Sequence, residues 1–119
     1  MKTVDFLKNN NIDVDHGLEL LGDIDFYNET MTDFYNAFAE RVNNLTSYKN
    51  NNDMENYGIL AHAIKSDCKY LGIMNFADVS YNHEMAGKSN DVNYVNSNFD
   101  SYIAEYTRII NIIKEYLEV

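Results

Sequence analysis

The sequence predicts an all-α chain, an antiparallel four-helix bundle with a short N-terminal helical extension, from three observations. Apolar residues recur at helical spacing in several long segments. No comparable stretch alternates apolar and polar residues with period two. Proline is absent, although average usage of about 5% would supply about six. Proline breaks helix interiors, so its absence suits uninterrupted helices. The 119 residues are 45% hydrophobic and 13% aromatic, too apolar for disorder and long enough for one core. The chain reads as a single domain over residues 1–119.

The N-terminal extension, about residues 1–22, carries Phe6, Leu7, Leu18, Leu20 and Leu21. It reads as one or two short helices packed across the bundle, with Gly17 and Gly22 blurring their boundaries. The bundle follows over about residues 23–118. Two asparagine runs, Asn9 to Asn11 and Asn50 to Asn52, read as loops because asparagine hydrogen-bonds its own backbone. Between them Tyr27, Met31, Phe34, Phe38, Val42 and Leu45 fall on one side of a long helix. The next helix runs over about residues 53–71, with Asp53 as N-cap and Gly72 as its stop. Its apolar positions are Tyr57, Leu60, Ile64, Cys68 and Leu71. Phe76, Val79, His83 and Ala86 mark a shorter helix that Asn75 caps and Gly87 ends. Asp91 opens the last helix, whose stripe is Val92, Val95, Phe99, Tyr102, Tyr106, Ile109, Ile113 and Leu117.

Charge and cysteine usage exclude several classes. A formal net charge of −10 argues against a nucleic-acid binder, which needs a broad basic face. The single cysteine, Cys68, forms no internal disulfide. It lies on the apolar arc of its helix and reads as a small core filler. The first residues lack the apolar run of a secretory leader. No apolar stretch approaches the roughly 18 residues of a membrane span. A cytoplasmic address without membrane insertion is expected.

The helix over about residues 53–71 carries the chemistry. With Leu60 at zero and about 100° per residue, its apolar positions fall within roughly 80°. His62 then lies near 200°, facing water, with Gly58, Lys65, Ser66 and Lys69 around it. Nine basic residues serve the whole chain, and two of them flank this histidine. Gly58 is costly inside a helix, by roughly 1 kcal/mol relative to alanine. It either clears room for an approaching surface or lies near a frayed helix start, where the cost is small.

His62-Ala63-Ile64-Lys65-Ser66, followed by Gly72, resembles the phosphorylation motif of histidine-containing phosphotransfer (HPt) domains. That motif has lysine three residues after the histidine, a small residue at four and glycine at ten. Ser66 stands where the family most often has glycine. Ile12-Asp13, Gly17-Leu18, Gly22-Asp23, Tyr27 and Phe34 resemble the family's lead-in and first long helix. Glu84, Gly87-Lys88 and Asn90-Asp91 resemble the segment that closes the helix after the histidine and opens the last one.

The resemblance implies that His62 accepts a phosphoryl group from an aspartyl phosphate on a response-regulator receiver domain, or from a histidine kinase. It then passes the group to another receiver. An ordinary imidazole, with a pKa of about 6.5, is partly neutral and nucleophilic near neutral pH. An acyl phosphate is already activated, so positioning and charge stabilisation dominate its transfer. Lys65, about 5–6 Å along the helix surface, is assigned to the phosphoryl oxygens. Lys69 and Lys88 are assigned to partner docking together with Gly58, Ser66 and Glu84. Glu84 either accepts a hydrogen bond from the imidazole or faces water. No cofactor of the chain's own is implied; Mg²⁺ is expected on the receiver. The carrier is expected to be a monomer without an ATP site, and so no enzyme by itself.

The same motif and fold occur in the phospho-accepting domain of chemotaxis-type histidine kinases, which is the alternative reading. A bundle that only binds partners is a third, and the joint presence of His62 and Lys65 argues against it. A metal-binding bundle lacks the paired Glu-x-x-His spacing. His83, in an apolar row where the family prefers leucine, reads as a half-buried core residue. His16 reads as a residue near a turn, and the ten tyrosines mostly as packing residues with wet hydroxyls.

Overall fold

The computed structural model describes all 119 residues. It is all-helical, with no strand. In chain order the helices are α1 (Val4–Lys8), α2 (Val14–Leu21), α3 (Ile24–Asn36), α4 (Phe38–Asn50), α5 (Met54–Leu71), α6 (Met74–Lys88) and α7 (Val92–Leu117). α7 has 26 residues. At 1.5 Å per residue it is about 39 Å long, which matches the 41 Å long axis of the molecule. No helix is long and apolar enough to cross a membrane.

One local device punctuates the chain. An asparagine or glycine with positive φ ends a helix, and an aspartate within two residues caps the next. Asn11, Gly22, Asn52 and Asn90 have φ of 64°, 96°, 54° and 54°. The carboxylates of Asp13, Asp23, Asp53 and Asp91 accept hydrogen bonds from the N–H groups of His16, Phe26, Asn56 and Tyr94. Each such cap satisfies a helix N–H that has no partner within its own helix. His16 therefore lies in the first turn of α2, beside the turn expected for it.

Two elements differ from expectation. The long stripe from Tyr27 to Leu45 is divided at Ala37, whose ψ of −10° departs from the helical −42°. Tyr27, Met31, Phe34 and Leu45 are buried all the same. α6 begins at Met74, so Asn75 lies within its first turn and caps nothing. Gly72, at φ 82°, stops α5 and leaves one residue, Ile73, before α6. Gly87 does not end α6; the helix runs through it to Lys88.

The core joins Tyr27, Met31 and Phe34 of α3 to Tyr57, Ile64 and Cys68 of α5, Phe76 of α6 and the inner face of α7. α5 packs most extensively on α6; α6 packs on α7; α7 touches α3 and α4, which in turn touch α5. Five of the ten tyrosines depart from expectation, Tyr106 among them with its buried hydroxyl unpaired. Tyr27, Tyr57, Tyr102 and Tyr116 are fully buried, and their hydroxyls reach Leu71 O, His83 Nδ1, Ser80 Oγ and Asn28 Oδ1. These hydroxyls are tied to protein partners because a buried donor without one costs about 1–3 kcal/mol.

Candidate functional site

The site lies on the α5–α6 pair, and two glycines set its geometry. A Cβ on Gly87 would fall 2.5 Å from Gly58 Cα and 2.7 Å from Met54 O. A Cβ on Gly58 would fall 3.1 Å from Glu84 O. The two backbones thus meet with no side chain between them. Gly58 is buried, and the surface for which it clears room is that of α6.

This close approach turns the buried face of α5. The buried residues are Met54, Tyr57, Gly58, Ala61, Ile64, Cys68 and Leu71, while Leu60 is only partly buried. On the wheel, at about 100° per residue, the buried arc is centred about 45° away from that given by the large apolar side chains alone and reaches Gly58. Lys65 therefore falls at its edge rather than in open water: its side chain is 12% exposed. His62 sits at the boundary, 55% exposed.

Glu84 reaches across from α6 and is buried, 2% exposed. Three donors converge on it. His62 Nδ1 lies 3.0 Å from Oε2, Lys65 Nζ 2.6 Å from Oε1 and Lys88 Nζ 2.7 Å from Oε2. Of the two alternatives for Glu84, facing water is excluded. Burial pushes its pKa up, but the hydrogen bonds from Lys65, Lys88 and His62 outweigh burial and hold it at about 2. The carboxylate is therefore ionised and can only accept hydrogen bonds. Nδ1 of His62 must then carry the ring proton of the neutral imidazole, which leaves the Nε2 lone pair free.

The lysines divide. Lys65 is held, with its ammonium also 5.3 Å from the centre of the Tyr81 ring. Lys88 is 61% exposed and reaches Glu84 from one turn along α6. Beside His62 a groove of about 690 Å³ runs between the helices, with Gly58 and Gly87 in its wall and Ile59 and Lys88 at its side. Lys69 is exposed and Ser66 is half-buried; neither joins the hydrogen-bonded cluster.

Sequence reasoning missed Tyr81 and misread Gly87 as a helix stop. The available signal was a glycine in each of two consecutive helices, which permits close packing. His83 is fully buried, at 1%, rather than half-buried. Its ring stacks on Tyr102 at 3.9 Å, and burial lowers its pKa to about 4. Cys68 is buried and its thiol pKa is raised by that burial. No protein-family model, curated protein or solved structure matches this chain.

Proposed function

We propose that the chain is a phosphoryl-carrier domain of the histidine phosphotransfer type, with His62 Nε2 as the acceptor. The observation that carries this reading is the pairing of His62 Nδ1 with the buried, ionised Glu84. It leaves one outward nitrogen nucleophilic, beside two lysines. The packing of α3–α4, α5, α6 and α7 in a ring of neighbours supports the antiparallel four-helix bundle expected of such a domain.

In the proposed reaction Nε2 attacks the phosphorus of a receiver's aspartyl phosphate. The N–P bond forms as the P–O bond to the aspartate breaks, and the carboxylate leaves with that electron pair. The ring keeps its proton on Nδ1 and becomes a phosphoimidazolium, whose positive charge Glu84 stabilises. Transfer to the next receiver reverses these steps, with an aspartate oxygen attacking phosphorus. Mg²⁺ belongs to the receiver in this reading. Lys65 sets the potential around the ring. Lys88, on an exposed four-carbon stem, can turn from Glu84 to the phosphoryl oxygens. Lys69 and Ser66 belong to the docking face, beside the groove that Gly58 lines, and the address is cytoplasmic.

The test is incubation with phosphorylated receivers, and separately with histidine kinases and ATP, followed by mapping of acid-labile label. Label is expected on His62 and absent from His62→Gln with the helical signal unchanged. Label that persists in that variant contradicts the assignment. Label obtained only from a kinase with ATP favours the chemotaxis-type alternative.

A further inference from the structure

We propose that the buried Tyr57–His83 hydrogen bond is a positioning device that fixes the roll of α6 against α5 and so holds Glu84 on the His62 ring. The geometry sets two directional bonds on either side of a smooth contact. On the core side, Tyr57 Oη lies 2.7 Å from His83 Nδ1. On the outer side, the next residue of α6, Glu84, meets His62 and Lys65 of α5. Between them Gly58 lies against Gly87 with no side chain to interlock. Bare backbones approach closely but offer little resistance to rolling or sliding. Ridges normally set the angle between packed helices, and at the Gly58–Gly87 crossing they are missing.

The His83 ring is itself held. It lies flat on Tyr102, 12° from parallel, and the Tyr102 hydroxyl donates to Ser80 Oγ at 2.9 Å. Tyr57 therefore bonds to a ring that cannot turn away. An apolar side chain at position 83 could fill this space, but it would supply no direction. Burying a polar pair is a poor way to gain stability, because much of its hydrogen-bond energy only replaces bonds to water. It is a good way to specify one arrangement among several of similar packing. The consequence for the position of Glu84 stands on geometry alone. The consequence for reactivity, that Tyr57 and His83 keep Nε2 as the free nitrogen, rests on the phosphotransfer reading.

The measurement is the ratio of the two neutral tautomers of His62, read from imidazole ¹⁵N shifts at about pH 8.5, above the ordinary histidine range. The decisive variant is Tyr57→Phe/His83→Leu. It replaces both partners with apolar groups, so no unpaired polar atom remains and stability stays near wild type. In wild type the Nδ1–H form should dominate. In the double variant the ratio should move toward Nε2–H by about threefold, as the bond to Glu84 loosens. Tyr57→Phe should move it the same way. A double variant with wild-type stability and the wild-type ratio would show that the pair only fills space, and would overturn the proposal. Dominance of Nε2–H in the wild type would overturn it as well. Failure of wild-type protein to accept phosphoryl groups would instead sink the functional reading, while the tautomer ratio still decides the positioning claim.

Discussion

Glu84 carries a full charge at 2% exposure because three donors converge on its two oxygens. The two lysines on it are expected to behave differently. Lys65 is 12% exposed and bonds a buried oxygen, so Lys65→Ala should cost about 1–3 kcal/mol of stability and also slow phosphotransfer. Lys88 is 61% exposed, so Lys88→Ala should cost no more than about 0.5 kcal/mol. It should nevertheless slow transfer, because the cation able to reach the phosphoryl group is gone. Urea midpoints and transfer rates measured on both variants check this split. Equal stabilities would show that Lys65 is not held, and an unchanged rate in Lys88→Ala would remove its role. His62, Lys65, Glu84 and Lys88, all singled out from the sequence, lie together in the structure. The burial of Lys65 and Glu84 was not legible, because a count of large apolar side chains gives glycine no weight. Gly58 is what brings α6 over that side of α5.

At the scale of elements, the caps and stops were the most readable features. Asp53, Asp91 and Gly72 act through backbone geometry within a few residues of themselves, so the local sequence suffices. The division at Ala37 and the start of α6 at Met74 carry no side-chain cap, so no local residue marks them. Nor is the part of Gly87 in the fold marked locally, since it exists only because Gly58 lies opposite. Gly87→Ala places a Cβ among backbone atoms at 2.5–2.7 Å, none of which can rotate away. It should destabilise the protein by about 2 kcal/mol or more. Gly58→Ala meets its nearest neighbours at 3.1–3.4 Å and regains up to about 1 kcal/mol of helix propensity. It should therefore cost less. Chemical denaturation of the two variants checks the order, and the reverse order would mean that the two backbones do not meet as described.

Across the whole molecule, acid sensitivity should come from the interior. His83 titrates near 4 in the fold against an ordinary 6.5, because burial disfavours its charged form. Between those values the unfolded chain binds the extra proton. Stability contributed by His83 is therefore complete above about pH 6.5 and is lost as the pH falls toward 4, by on the order of 3 kcal/mol. Glu84 adds a second, lower window. Its depressed pKa means that its contribution is present above the ordinary 4.5 and is lost as the pH falls toward 2. Urea midpoints of the wild type should thus drop between pH 6.5 and 4.5. In His83→Leu that drop should be much shallower, and an identical slope would contradict the assignment. The all-α class was legible from periodicity because each apolar stripe is a property of one helix. The buried polar pairs between helices were not, since Tyr57 and His83 stand 26 residues apart.

The most direct test of the central claim is to find which atom receives the phosphoryl group. Protein labelled with ¹⁵N in its histidines, phosphorylated by a receiver or kinase, should show phosphorus bonded to Nε2 of His62, with Nδ1 still protonated against Glu84. Phosphorus on Nδ1, or on any other residue, would contradict the account.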